Sequence, residues 1–331
     1  MPEQRQPRRV ATGALLTITA LAISLWAPPA MAAGPSDEAT GVVATAVKGM
    51  RSADVPVPGN RPFAASDGQA VSSTGGMRIE SPEYATSPIS VRGDGLDLNI
   101  SLPYGQNVEA AELVDGNVVY TTKDDSPSFV VQALPSAIRV MAVLNSPESP
   151  RELPFDLGLA QGVSLQVETD GSVSASASSD GVTVSVKALE APWAVDGNGN
   201  RVATHYRVEG STVTQIISPD AKAVYPITAD PTTCTRFCYP FKIYFNKAET
   251  RTAANPGLFG LVVTACTGLG ALLGGPPGAA AVGAACAVAS VAISGTAQNG
   301  VNSRPFRCLR IDFYWPSSIP FPRTYTGGNC R

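Results

Sequence analysis

The sequence predicts a mostly β protein with a smaller C-terminal α+β module: an antiparallel β-sandwich or meander followed by a disulfide-stapled, apolar helical hairpin. Three observations predict it. From about residue 86 to 231, apolar and polar residues alternate with period two between Asp-Gly turns. All six cysteines lie after position 233. Between Arg251 and Arg304 the chain has no charged residue and no histidine, although it is charged on both sides.

The first 32 residues read as a signal peptide. Arg5, Arg8 and Arg9 precede an apolar run from Ala14 to Trp26, and Ala30-Met31-Ala32 fits a small-residue cleavage site. The run is short for a membrane span, which needs about 20 residues. An exported, extracellular or envelope-associated protein is therefore expected. Residues 33–85 are rich in Ala, Gly, Ser, Pro and Asp, and are expected to be a largely disordered linker.

Residues 86–231 are expected to form the β-rich domain. Leu96, Leu98, Ile100 and Leu102 alternate with polar residues. Ile138, Val140, Ala142 and Leu144 do so with Arg139, Met141 and Val143, and Val163, Leu165 and Val167 mark another strand. Asp115-Gly116, Asp170-Gly171, Asp180-Gly181 and Asp196-Gly197 supply the positive φ that tight hairpins require. The β pattern stops near Ala229-Asp230-Pro231, and a domain boundary is expected there.

Residues 232–331 are expected to be a basic module. Nine Lys and Arg from position 234 onward face only Glu249 and Asp312, giving +7 in a chain whose total is −3. With +2 in the first 32 residues, the stretch between carries −12. The apolar runs Leu258–Leu273 and Ala279–Ala297 flank Gly274-Gly275-Pro276-Pro277-Gly278. They predict a helical hairpin over 257–298. Cys266 and Cys286 are nearly equidistant from the turn, so an antiparallel hairpin would join them. Cys234, Cys238, Cys308 and Cys330 remain for disulfides in the flanks, with their pairing open. After the hairpin, prolines and aromatics predict irregular or edge-strand structure. Arg251, Arg304, Arg307, Arg310, Trp315 and Arg323 are candidate contacts to an anionic membrane or cell-wall polymer.

Two stretches carry a resemblance. Glu190-Ala-Pro-Trp-Ala-Val-Asp-Gly-Asn-Gly-Asn-Arg-Val-Ala-Thr-His-Tyr-Arg-Val208 and Ala223-Val-Tyr-Pro-Ile-Thr-Ala-Asp-Pro231 resemble a segment of uncharacterised secreted proteins from high-GC Gram-positive bacteria. The region also resembles the β-rich presentation region of secreted polymorphic toxins. The resemblance covers about 110–231. It implies a secreted presentation domain and supplies no catalytic residues.

Chemistry is sparse. The one histidine, His205, falls in an expected strand, and no Gly-x-Ser-x-Gly accompanies it. Asp196-Gly-Asn-Gly-Asn200 starts like a calcium loop, but Arg201 and Arg207 stand where Gly and Glu belong, so a turn is expected. No catalytic residue, cofactor or metal is assigned, and nucleic acid is not an expected partner; an immunity or other partner protein is left open. The expectation is a secreted, non-enzymatic protein whose C-terminal module is membrane-active or envelope-binding, bacteriocin-like in character. A structural or interaction protein of the cell wall is the alternative, and a cell-wall hydrolase a weaker one.

Overall fold

The computed structural model describes residues 34–53, 61–74, 77–93, 96–122, 124–135, 137–159, 162–179, 182–255, 287, 290–314, 319–328 and 330–331. It is mostly β, with antiparallel sheets and few helices. The expected Cys266–Cys286 pair, most of the expected hairpin and Trp315 lie outside the described residues, as do the side chains of Cys234 and Cys238.

The first element corrects the expected linker. Asp37–Ser52 is a helix, α1. Ser36 caps it by accepting a hydrogen bond from the Ala39 amide, and Asp37 and Glu38 place negative charge in its first turn. Its apolar face, Ala39, Val42, Val43, Ala46 and Met50, is buried. Strands then follow without a long gap: β1 Ala64–Ser66, β2 Gln69–Thr74, β3 Met77–Pro82, β4 Ile89–Gly93 and β5 Leu96–Ile100, paired in that order as a five-stranded meander. Small residues did not preclude order here, because alternate positions such as Ala70, Met77 and Ile79 are buried.

Further strands are β6 Glu112–Val114, β7 Asn117–Tyr120, β8 Ser128–Leu134, β9 Ala137–Leu144, β10 Glu152–Asp156, β11 Val163–Val167, β12 Val173–Ser179 and β13 Val182–Leu189. They continue as β14 Trp193–Val195, β15 Ala203–Glu209, β16 Thr212–Ser218, β17 Ile227–Asp230 and β18 Thr232–Tyr244. Asp115 (φ 48°) and Gly116 (φ 74°) both take positive φ between β6 and β7, as a tight Asp-Gly hairpin demands. β10, β16 and β15 form a separate three-stranded sheet. The largest sheet runs β11-β12-β13-β18-β9-β8-β7-β6, with β17 beside β9 and β14 beside β17.

β8 and β9 are buried on both faces. Phe129, Val131, Ile138 and Val140 enter a core shared with the two smaller sheets. Val130, Met141 and Val143 enter a second core, closed by α1. The helix approaches closely at Gly49, where a Cβ would lie 2.7 Å from Thr228 Cβ of β17.

The expected boundary at 231 is crossed by continuous structure. β9 pairs with β17 on one side of Pro231 and with β18 on the other. Pro231 lacks an amide hydrogen, yet its carbonyl accepts from the Val140 amide at 3.1 Å. The proline marks a tolerated gap in a ladder, not the end of a domain.

After β18 come α2, Lys247–Ala253, α3, Ser290–Asn302, and the strands β19, Cys308–Tyr314, and β20, Ile319–Tyr325. β19 pairs with β18 and β20. Of the irregular or edge-strand structure expected for the tail, the described residues are largely strand; Pro320 and Pro322 are accommodated because β20 is an edge strand.

Candidate functional site

β18, β19 and β20 have two chemically distinct faces. On one, Ile243, Leu309 and Ile311 are fully buried, and α2 and α3 pack against this side. The Leu309 amide donates to Thr250 Oγ1 of α2 at 3.0 Å. At Gly300 of α3 a Cβ would lie 2.4 Å from the Arg307 carbonyl oxygen and 3.3 Å from Thr324 Cγ2, so glycine permits the helix to seat. Alternation then places Tyr244, Arg310, Arg323 and Tyr325 on the opposite face.

That second face extends across the sheet by register. Tyr244 stands opposite Thr183 in β13 and Arg310 in β19, and Arg310 stands opposite Arg323 in β20. In the neighbouring row, Ser176 of β12 faces Ser185 of β13, and Gln166 of β11 faces Ser174. Cross-strand partners share a face, so hydroxyls and amides from distant parts of the sequence meet here. They line a groove of about 340 Å³, bounded on one side by Tyr325 and Thr326-Gly327-Gly328.

The far wall is held covalently. Cys308, fully buried at the start of β19, is bonded to Cys330. The bridge draws the segment after β20 back onto the sheet. Gly327 (φ 82°) and Gly328 (φ 53°) take the left-handed conformations that turn this segment, at low cost for glycine. The Cys330 amide donates to the Gly327 carbonyl at 3.0 Å.

Two guanidinium groups beside the groove share one buried carboxylate. Arg310 Nη2 donates to Oδ2 of buried Asp312 at 2.8 Å, and its Nε lies 2.6 Å from Oδ1 as an ion-pair contact without hydrogen-bond geometry. Arg323 Nε reaches the same carboxylate at 3.5 Å. Glu168 accepts a short hydrogen bond from the Ser174 hydroxyl. Tyr244 and Tyr325 meet edge to face, with centroids 5.2 Å apart. Burial pushes both phenols up, with Glu168 and Asp312 adding to it at Tyr244 and with Tyr244 and Glu249 adding to it at Tyr325, so both stay protonated. The Tyr325 hydroxyl donates to the Phe245 carbonyl at 2.9 Å.

The sequence-predicted basic residues separate into two groups. Arg310 and Arg323 converge on Asp312 beside the groove. Arg251 lies on α2 with its guanidinium 4.9 Å from the Phe306 ring centroid, and the flanking Arg304 and Arg307 are exposed. Sequence reasoning missed the groove residues Gln166, Ser174, Ser176, Ser185, Tyr244 and Tyr325. The polar half of each alternating strand was their only signal. His205 is exposed on β15, opposite Ile216. Asp196 is a turn residue: its carboxylate accepts from the amides of Asn198, Asn200 and Val224, and those bonds outweigh burial to lower its pKa.

Among the described residues no group of three or more His, Cys, Asp or Glu side chains is placed to hold a metal ion. Among them, too, no helix is long and apolar enough to cross a membrane.

No family model and no curated protein matches the chain. Among solved structures, a mutant of glycoside hydrolase family 81 from Clostridium thermocellum shares 10% identity at a TM-score of 0.28. The match covers 53% of this chain and 24% of that one. A score that low does not establish a common fold.

Proposed function

We propose that this chain is an exported, non-enzymatic protein that binds a cell-envelope polymer through the outer face of its C-terminal strands. One observation carries the reading. Six strands from both sides of the charge boundary at 231 align hydroxyl, amide, phenol and guanidinium groups around one open groove. Export is supported by the leader-like first 32 residues and by the Cys308–Cys330 bridge, which suits an oxidising compartment. Exposed Arg251, Arg304 and Arg307 supply a cationic corner for the anionic parts of an envelope. The β-rich part would present this face, in an architecture of sheets packed as a sandwich.

Sedimentation with isolated bacterial cell walls tests the proposal. The full-length mature protein should pellet with the walls. Charge reversal at Arg251, Arg304 and Arg307 should weaken this at low salt. A protein that stays in the supernatant at every salt concentration refutes the reading.

A second reading rests on the uncharged stretch between Arg251 and Arg304. There the segment 257–298 would be an apolar helical hairpin, stapled by Cys266–Cys286, that inserts into anionic lipid. The described end of this stretch favours protein over lipid as its cover, since Ile293 and Ala297 of α3 are fully buried. Dye release from anionic vesicles by the full-length protein would favour insertion; intact vesicles would dismiss it.

A further inference from the structure

We infer that the groove across β11–β13 and β18–β20 is a site for a neutral oligosaccharide; this rests on the envelope-binding reading and names the ligand of that same face. Three features of the groove select the chemistry. The first is its lining. Ser176 and Ser185 stand directly opposite one another, with Cβ atoms ~5 Å apart as cross-strand partners are. Hydroxyls both donate and accept, as does the carboxamide of Gln166. Such a lattice matches the vicinal hydroxyls of a pyranose, each of which also donates and accepts.

The second feature is the tyrosine pair. Tyr244 and Tyr325 meet edge to face, so their rings lie on two different planes beside the hydroxyl lattice. A sugar ring is amphipathic: its C–H face suits an aromatic surface and its rim suits polar groups. Tyrosine combines both qualities in one side chain.

The third feature is charge. Arg310 and Arg323 share buried Asp312, Lys242 stands opposite both Ser185 and Asp312, and Glu168 lies at β11's end of the groove. A phosphate or sulfate would have to compete with the buried Asp312 carboxylate for Arg310. A cationic ligand would face the Arg310 guanidinium, with Lys242 in the adjacent row. A neutral ligand meets neither obstacle. The volume of about 340 Å³ sits at the small end of ligand sites, and the groove is open along its length. An open, polar groove suits a short stretch of a longer polymer better than an enclosed small molecule.

Gel retardation by dissolved polysaccharide tests this with the full-length mature protein. The probes are dextran, a β-linked glucan, a mannan and a galactan, with dextran sulfate as the anionic comparison. At least one neutral polymer should retard the protein, equally at low and high salt. Gln166→Ala, on an exposed edge strand, should weaken retardation about threefold to tenfold, as loss of one net hydrogen bond does. Ser176→Tyr, which fills the groove, should abolish it, with an unchanged circular dichroism spectrum as the folding control. No retardation by any neutral polymer overturns the inference. So does retardation by dextran sulfate alone, fading with salt and indifferent to Gln166 and Ser176. Cell-wall sedimentation that survives either result leaves the envelope-binding reading standing and this inference refuted.

Discussion

Removing Asp230 should destabilise the protein more than any change on its surface. The residue ends β17 and is 2% exposed. Its Oδ2 accepts from Trp193 Nε1 at 2.6 Å and from Thr232 Oγ1 at 2.6 Å. Arg139 Nε, on β9, lies 3.6 Å from the same oxygen, and Arg139 is itself only 5% exposed. Asp230→Ala leaves a buried guanidinium without its counter-charge and a buried indole N–H without its acceptor. Breaking a buried pair from one side costs about 3–5 kcal/mol. Replacing both members, as Arg139→Met with Asp230→Leu, removes the orphaned charge and should restore most of that loss. Urea unfolding followed by circular dichroism measures both. A single variant that loses under about 1 kcal/mol, or a double variant no better than the single, refutes the reasoning.

The same residue sets a pH dependence. Burial pushes its carboxyl up to about 6, against the opposing pull of Arg139, Thr232 and Trp193. In the unfolded chain it titrates near ~3.9. Between these values the native state holds a proton that the unfolded state has released. Its contribution is therefore fully present below about pH 4 and lost as pH rises through about 6, amounting to about 3 kcal/mol. The difference in stability between the native sequence and the double variant isolates this contribution from other carboxylates. It should shift against the native protein across that window; a difference that grows with pH would contradict the assignment.

Other outcomes follow from single contacts. Gly49→Ala should cost about 1–3 kcal/mol by pushing α1 off Thr228, visible as a lowered Tm. Replacing Cys308 and Cys330 with serine frees a loop with a sequence separation of 22 and should cost about 3 kcal/mol by chain entropy. It should also loosen polysaccharide retardation, because the bridge holds the Gly327-Gly328 wall. Asp312→Asn should release the charge of Arg310 and Arg323 and create salt-sensitive retardation by dextran sulfate; unchanged behaviour would show that Asp312 does not neutralise the groove.

Legibility in the sequence followed the range of the interactions. Helix α1 was within reach: Ser36 as cap, Asp37 and Glu38 in the first turn, and Ala39, Val42, Val43, Ala46 and Met50 at helical spacing. The small-residue composition of the segment obscured that period. The strand alternation was read correctly where one face is wet. At β8 and β9 it understated burial, because α1 covers the second face and Arg139 is buried by pairing with Asp230. The groove was beyond reading. It depends on the register of β18 against β13, which shifts between Ser185 and Lys187 and again between Lys187 and Leu189. No local pattern brings residues as distant as Gln166 and Tyr325 to the same groove.

The course of β18 also decides what can be cut. Composition divides the chain at 231 into an acidic part and a basic part, and suggests a separable module. Hydrogen bonding argues otherwise. One edge of β18 pairs with β13 from Thr233 to Tyr244, while its other edge joins β9 first and β19 last. A fragment beginning at 232 would keep β19 and β20 but lose β9 and β13. It would expose the edge that β13 covers, and the hydroxyl rows of β11–β13 that complete the groove would be gone. Among the described residues, that fragment holds three strands, two helices and the Cys308–Cys330 bridge, which leave little core. Expressed alone, residues 232–331 should therefore be protease-sensitive and should fail to bind polysaccharide. A protease-resistant fragment with a native-like spectrum would show that the charge boundary, and not the sheet, marks the true unit. Since residues before 231 supply half of the groove lining, the two parts of the chain build one groove.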